Sequence, residues 1–301
     1  MRFRTTITHI SLLRKIVQSL GAIAKICVVR LTPEKVYFIV PGNEGRDGVQ
    51  VWSQVKVETL FQSYRIESHN NNEIWVEIHL EAFLKVLKSA LDAHRSAEIN
   101  DSSRPNHDAF THSEINLKLN KRDTQALWAF EIRNTTASGR EMSIIQDVKV
   151  LVLSVKRQNE LNEPLCPPPE VHVVLPKLVE LRNIIHRLGH ITDDVTVSGN
   201  RDGKLELRGR GRNADLTITW KELQIPALPD DTDDRPIDEM IDVTVSIRGM
   251  LKFLTSHQVG GEAIACLCRR HCLIVYVYIG EMIESGGVLT FFIPAKNVDD
   301  D

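Results

Sequence analysis

The order of predicted secondary-structure elements repeats once along this chain of 301 residues. Each half begins with a strand and a helix, continues through several short strands, and then repeats a helix and further strands. The strands are predicted from short runs rich in branched apolar residues, and the helices from apolar residues at three- and four-residue spacing. A duplicated order of this kind is typical of an array or a ring built from structural repeats.

A proline-rich segment separates the two halves. Four of its residues, Pro164, Pro167, Pro168 and Pro169, are prolines, which supply no backbone donor and disfavour both helix and strand. We therefore expect an N-terminal domain over 1–155, a stiff extended connector over 156–170 and a C-terminal domain over 171–301.

Two polar stretches are expected to be exposed loops. The first, 94–113, would be an insertion in the N-terminal domain, and the second covers 227–239. Both contain proline and few apolar residues, so neither offers enough surface to bury.

Composition excludes several classes of protein. The hydrophobic fraction of 42% and charged fraction of 26% are those of a globular protein, and the net charge of -3 argues against a simple basic nucleic-acid binder. No run approaches the roughly 18 apolar residues of a membrane-spanning helix, so no membrane partner is expected. The five cysteines are an odd number, for which we expect reduced thiols rather than a disulfide framework.

Four amphipathic helices are predicted over 11–23, 80–93, 176–190 and 248–257. The face opposite each apolar stripe leans basic, although the whole chain is slightly acidic. The cations on these faces are Arg14, Lys15, Lys85, Lys88, Arg182, Arg248 and Lys252. Such a separation of charge is typical of a surface that meets phosphates. The alternative is that Lys and Arg are simply good helix formers on solvated faces, and Glu81, Asp92 and Glu180 weaken the pattern.

A metal site is an alternative that the sequence offers at two places. The first is the group Cys266, Cys268, His271 and Cys272. Its first two cysteines lie two apart in a predicted strand, and no second Cys-x-x-Cys accompanies them, which favours buried apolar cysteines. The second is the group His94, Asp101, His107, Asp108 and His112. It falls in the stretch predicted to be a loop, and no metal or other cofactor is expected.

Enzymatic activity is not expected. The chain has no nucleophile elbow, zinc-protease, Walker or dinucleotide-binding motif. The adjacent pairs Asp193-Asp194 and Asp233-Asp234 fall in predicted turns and indicate solvated charge. The alternating residues Arg208, Arg210 and Arg212 indicate a solvated strand edge or, as the alternative, phosphate contacts. No base-reading motif is present, so any DNA contact would be independent of sequence.

Five stretches carry a resemblance to a known family: MRFR at 1–4, ICVVRLTPEK at 26–35, NNEIWVEI at 71–78, EPLCPPPEVHVVLP at 163–176 and FFIPA at 291–295. In this order they resemble the PCNA-like sliding clamps and, among them, the Hus-one subunits of the heterotrimeric nine-one-one DNA-damage checkpoint clamp. The resemblance covers nearly the whole chain. The stretch 94–113 departs from the family pattern.

The resemblance implies an α+β fold of two tandem PCNA-like domains, with antiparallel sheets and two helices per domain that line a central channel. Two dissimilar subunits would complete a ring around duplex DNA in the nucleus. A clamp loader, repair proteins and checkpoint proteins would be its further partners, some of them docking on the connector. The residues that it places toward DNA are Arg14, Lys15, Lys85, Lys88, Lys177, Arg182, Arg248 and Lys252. A homotrimeric replication processivity clamp is the alternative within the same fold.

The same resemblance implies that neighbouring subunits join by pairing of edge strands. The matching segments are 148–155 and 214–221, and long edge strands favour pairing with another chain. The interface residues expected from them are Val148, Val150, Val152, Leu216, Ile218 and Trp220. Dissimilar partners would make these contacts heterologous and head-to-tail.

Overall fold

A computed structural model describes residues 1–42, 48–101, 110–136, 141–212, 214–226, 236–282 and 284–296. The chain divides into two compact units. Unit 1 comprises Met1–Ile39 and Gln54–Leu161, and unit 2 comprises Val40–Ser53 and Asn162–Asp301. Unit 2 therefore contains one segment from the first half of the sequence.

The strands follow the predicted runs of branched apolar residues. In chain order they are β1 (Arg2–Ile7), β2 (Ile26–Leu31), β3 (Lys35–Val40), β4 (Gln50–Lys56), β5 (Phe61–Glu67), β6 (Ile74–His79), β7 (Phe110–Arg122), β8 (Gln125–Thr136), β9 (Glu141–Val152), β10 (Val171–Val174), β11 (Asp194–Gly199), β12 (Leu205–Arg210), β13 (Asp215–Trp220), β14 (Ile241–Ser246), β15 (Ala263–Cys268), β16 (Cys272–Ile279) and β17 (Gly287–Pro294).

The helices include the four that the sequence predicts, with shifted ends. They are α1 (Ile10–Gly21), α2 (Val57–Leu60), α3 (Leu80–Asp101), α4 (Val155–Asn159), α5 (Leu178–Leu188) and α6 (Ile247–Phe253), and a 3₁₀ turn over Leu254–Gln258 continues the last of them. The short helices α2 and α4 were not predicted. Ser154 caps α4, because its hydroxyl accepts a hydrogen bond from the Arg157 amide at 3.4 Å.

The sequence predicts irregular structure over 94–113 and over the connector 156–170, and both predictions are wrong for part of the residues that the structure describes. The stretch 94–113 is not a loop where it is described, because α3 continues to Asp101 and β7 begins at Phe110. Residues 94–101 contain no Gly or Pro, so nothing in them ends the helix. The connector is helical at its start, where α4 runs to Asn159, and only its later part is irregular.

Unit 1 has strands in the order β3-β2-β6-β9-β8-β7-β1-β5. The described registers are antiparallel, as in β7–β8 and β8–β9. Helices α1 and α3 pack against each other, and α3 also packs against β7, β8 and β9. The helices therefore cover one face of this sheet, and the fold predicted from the sequence, α+β with antiparallel sheets, is confirmed.

Phe83 is at the centre of the packing between α3 and the sheet. It is 1% exposed, and its ring centroid lies 5.5 Å from that of Trp128 and 5.9 Å from that of Phe130. Phe83→Ala is expected to lower the free energy of unfolding by about 3–5 kcal/mol, because it removes a buried ring and leaves a cavity. Denaturant unfolding followed by tryptophan fluorescence measures this loss. A loss below about 1 kcal/mol would contradict the packing, and Phe83→Leu is expected to lose less than Phe83→Ala.

Unit 2 contains strands in the order β10-β15-β16-β17-β4 and a separate four-stranded sheet in the order β13-β12-β11-β14. Every residue of β15 is buried, which accounts for its continuous apolar sequence AIACLC. Helices α5 and α6 pack against each other. Buried apolar side chains at three- and four-residue spacing, namely Leu178, Leu181, Ile185 and Leu188, fix the rotation of α5.

Candidate nucleic-acid and subunit interfaces

In unit 1 the solvent face of α1 and α3 carries three exposed lysines, Lys15, Lys85 and Lys88. Lys85 Nζ lies 2.8 Å from a carboxylate oxygen of Glu81, one helical turn away. The hydrogen bond from Lys85 holds the pKa of the Glu81 carboxyl below its usual value. Both side chains are well exposed, so this pair is weak and leaves Lys85 able to meet another anion.

Arg14 lies on the flank of α1 rather than at the centre of its solvent face. The buried stripe includes Val17 and Leu13, whereas Leu12 is only half-buried, so the helix is turned relative to the stripe that the sequence predicts. Arg14 is therefore half-buried and Lys15 occupies the exposed position. The Arg14 Nε atom is buried and has no hydrogen-bond partner among the described residues.

In unit 2 the expected cations also lie on helix surfaces. Lys177, Arg182 and Arg248 are exposed, and Lys252 is half-buried. Lys177 is the N-cap residue of α5, and Arg248 is in the first turn of α6. A cation near a helix N-terminus is disfavoured by the helix dipole. These two positions are therefore not explained by helix stability, which weakens the alternative that the cations are merely good helix formers.

Cations are not confined to the helix faces. In unit 1 the lining of a cleft of about 380 Å³ includes four cations, Arg2, Arg4, Arg65 and Lys118, and one acidic residue, Glu67. Arg2 and Arg4 alternate with the buried Phe3, whose ring contacts Trp128 on the helix side, so this cleft lies on the opposite face of the sheet. The charge pattern alone therefore does not select one face of unit 1.

In unit 2 a second cleft, of about 990 Å³, mixes both signs of charge. Arg208, Arg210, Arg269, Arg270 and Lys296 line it together with Asp194, Glu239 and Asp242. Arg208 lies 3.4 Å from Glu206, and Arg269 lies 2.6 Å from Glu239. The acidic partners partly neutralise these cations and weaken their attraction to phosphate. This cleft is therefore a weaker candidate for DNA contact than the helix faces.

The two expected interface strands each have an open side among the residues that the structure describes. Strand β9 pairs with β8 from Glu141 to Val150, but with β6 only over Val150–Val152. Strand β13 is the last strand of its sheet and pairs with β12. Unpaired backbone groups at such edges are available to a strand from another chain.

The side chains of β9 divide between the core and solvent by strand alternation. Val148 and Val150 are each 3% exposed and face the core, and Val152 is half-buried. The exposed large hydrophobic residues of this strand include Ile145 and Leu151, at 67% and 58%. Sequence reasoning did not select either of them, although the alternation of the strand contains the signal.

Strand β13 has no fully buried side chain. Leu216 is 38% exposed, and Ile218 and Trp220 are half-buried. The apolar side chains of β13 remain partly exposed within this chain. Contact with a partner strand would bury them, so β13 is suited to be an interface.

Several sequence expectations fall on residues that the structure does not describe. The side chains of the histidine-rich group, His94, Asp101, His107, Asp108 and His112, lie outside the described residues. The same holds for Asp233, Asp234 and most of 227–239. Among the described residues, no helix is long and apolar enough to cross a membrane.

The fold is that of a sliding clamp. The structure resembles the crystal structure of Proliferating Cellular Nuclear Antigen from Entamoeba histolytica with a TM-score of 0.69, covering 98% of this chain and 99% of that one at 15% sequence identity. At this identity the likeness defines the fold alone.

Sequence comparison places the chain more narrowly within that fold. Residues 1–297 match the Hus1-like protein family, and the chain belongs to that family. It is 30% identical to "Checkpoint protein hus1" of Schizosaccharomyces pombe over 97% of this chain and 98% of that protein. It is 26% identical to "Checkpoint protein HUS1" of Homo sapiens over 98% and 99%, and 27% identical to "Checkpoint protein hus1 homolog" of Dictyostelium discoideum over 98% of both. The resemblance found from the sequence is confirmed.

Proposed function

We propose that this chain is one subunit of a heterotrimeric, ring-shaped sliding clamp that encircles duplex DNA in DNA-damage checkpoint signalling and DNA repair. The observation that carries the proposal is the match to the Hus1-like family over residues 1–297 in a chain with the sliding-clamp fold. The names of its relatives as checkpoint proteins support the checkpoint role over a role in replication.

In this proposal the chain is a platform and not an enzyme. It would hold DNA through Lys15, Lys85 and Lys88 of unit 1 and the exposed cations of unit 2, all of which would meet phosphates. Phosphate contacts position a protein on DNA without reading bases, which suits a clamp that slides. A clamp loader would close the ring in the nucleus, and repair and checkpoint proteins would dock on it.

Assembly would use the open edges of β9 and β13. Each edge would pair with a strand of a different neighbouring subunit, so the two contacts would be heterologous and the ring would close. The exposed hydrophobic side chains Ile145, Leu151 and Leu216 support this use, because partner contact would remove them from water.

The test is the mass of the particle that the chain forms. Alone, the purified chain is expected to run as a 34.1 kDa monomer in size-exclusion chromatography with light scattering, and to form a 1:1:1 complex only with two dissimilar clamp subunits. Co-purification from cells identifies those subunits. A stable homotrimer of the chain alone would contradict the proposal and favour the replication clamp.

A further inference from the structure

Three cysteines from two distant segments meet in unit 2. Cys268 and Cys272 face each other across the β15–β16 hairpin. Cys166 belongs to the proline-rich segment, 106 residues earlier, and its Sγ lies 3.4 Å from that of Cys272. The ligand atoms of Cys166, His271 and Cys272 all lie within 4.8 Å of one another. The Cys268 sulfur is not within that distance of all three, and it lies 3.6 Å from the Pro167 carbonyl oxygen. We call Cys166, Cys268, His271 and Cys272 the Cys-His cluster.

We propose that the Cys-His cluster is a structural zinc site, with three thiolates and one imidazole as ligands. Cysteine sulfur and histidine nitrogen are the ligands that Zn²⁺ prefers in closed structural sites. At Zn–S of about 2.3 Å and Zn–N of about 2.0 Å, tetrahedral ligand atoms lie about 3.5–3.8 Å apart. The Cys166 and Cys272 sulfurs would separate by a few tenths of an ångström, and the exposed His271 ring would move inward. The Cys268 sulfur would turn from the Pro167 carbonyl toward the other three ligand atoms.

Apolar packing accounts for Cys266, Cys268 and Cys272, which are buried in one hydrophobic cluster. It does not require a thiol at position 166, where the side chain packs against that cluster while only partly buried, or an imidazole at the exposed position 271. Cys266 is 1% exposed, lies in the same strand as Cys268 and pairs with Ile274, which is the environment of a small buried hydrophobic residue. Cys166 is half-exposed and follows Leu165, which is almost fully exposed. Burial therefore does not explain why a cysteine at 166 meets two others.

The site would tie the proline-rich segment to the sheet of unit 2. Prolines donate no backbone hydrogen bonds, so this segment has few means of attachment. Those described include the Glu170 amide bonded to the Leu267 carbonyl at 2.9 Å and the Cys268 thiol near the Pro167 carbonyl at 3.6 Å. A zinc ion bound by Cys166 and the hairpin would replace the second contact with coordinate bonds and stabilise the folded state.

Spacing along the sequence disfavours a metal site, because Cys266 and Cys268 lie two apart in a strand and no second Cys-x-x-Cys accompanies them. The fold, however, supplies a further thiol from residue 166. The competing chemistry is oxidation of the Cys166 and Cys272 thiols to a disulfide. It would need an oxidant, and it would leave Cys268 and His271 without a role.

The experiment measures metal in the full-length chain purified with a phosphine reductant and without chelator. Elemental mass spectrometry is expected to find about one zinc per chain, and Co²⁺ substitution is expected to give thiolate-to-cobalt charge-transfer absorption with tetrahedral d–d bands. Cys166→Ser, Cys268→Ser and Cys272→Ser are each expected to weaken binding at least about tenfold. Cys266→Ala and the distant Cys27→Ala are the matched controls, and both are expected to retain zinc. Chelator should lower the melting temperature of the natural chain but not that of Cys166→Ser.

Three results would overturn the proposal. The first is a folded chain, checked by circular dichroism, that holds no zinc and gives no cobalt spectrum. The second is a Cys166→Ser variant that retains stoichiometric zinc with unchanged affinity. The third is a Cys166–Cys272 disulfide, found by peptide mapping without reductant, in a chain whose reduced form binds neither metal.

Discussion

Ile145→Glu in β9 is expected to abolish ring assembly while the isolated chain remains folded. Ile145 is 67% exposed, so the change costs the chain within about 0.5 kcal/mol of its stability. At a subunit interface the same carboxylate would be buried without a partner, which costs about 3–5 kcal/mol. The dissociation constant is then expected to rise more than about a hundredfold, since each 1.4 kcal/mol is a factor of ten. Size-exclusion chromatography of the three mixed subunits measures the loss of the 1:1:1 complex.

Val179→Glu is the matched control for this prediction. Val179 is 53% exposed on α5 and is not part of either edge strand, so the same change of residue type should leave the complex intact. Normal complex formation by Ile145→Glu would show that β9 is not an interface. Failure of both variants would indicate a general effect of added charge rather than an interface at β9.

The sequence predicted the elements better than their ends and their exposed faces. Strand and helix order followed from periodicity, because the apolar residues that form the core also define the period. The end of α3 was not predicted because the polarity and proline of 94–113 indicate a loop. The packed first turns of α3 form the helix, and residues 94–101 contain no Gly or Pro that would end it. Helix α4 was not predicted because the four prolines later in the connector indicate an extended conformation for all of 156–170, whereas the prolines begin only at Pro164.

The exposed cations of the candidate DNA-binding surface could be predicted where the rotation of a single helix decides which side chains are exposed. Exposure of Lys85 and Lys88 follows from the rotation of a single amphipathic helix. Two features depend on residues far apart in sequence and could not be read from spacing. One is the meeting of Cys166 with Cys272, and the other is the inclusion of Val40–Ser53 in unit 2. The inward face of Val148 could not be read from alternation alone, because alternation leaves two phases and only the packed sheet selects one.

The combined change of Lys15, Lys85 and Lys88 to Glu is expected to reduce retention of the assembled ring on circular DNA and to make retention less dependent on salt. Each phosphate that a protein neutralises contributes about 0.9 to the slope of log affinity against log salt, so three lost contacts lower that slope by up to about 2.7. The change adds three like-charge pairs on α3, which are residue 85 with Glu81, residue 88 with Asp92, and residues 85 and 88 with each other, at about 0.2–0.5 kcal/mol each. The measurement is the fraction of loaded ring that remains on circular DNA across a salt series.

The control for this change is the opposite face of the same unit. Arg2, Arg4 and Arg65 line the cleft away from α1 and α3, so changing these three to Glu alters the net charge of the ring by the same amount. If DNA meets the helix faces, the arginine variant keeps most of its retention and its salt slope, because a surface charge beyond about 10 Å is screened at 0.1 M salt. Equal losses in the two variants would mean that net charge alone governs retention. A loss confined to the arginine variant would place DNA on the other face of the sheet and would contradict the clamp geometry proposed for this chain.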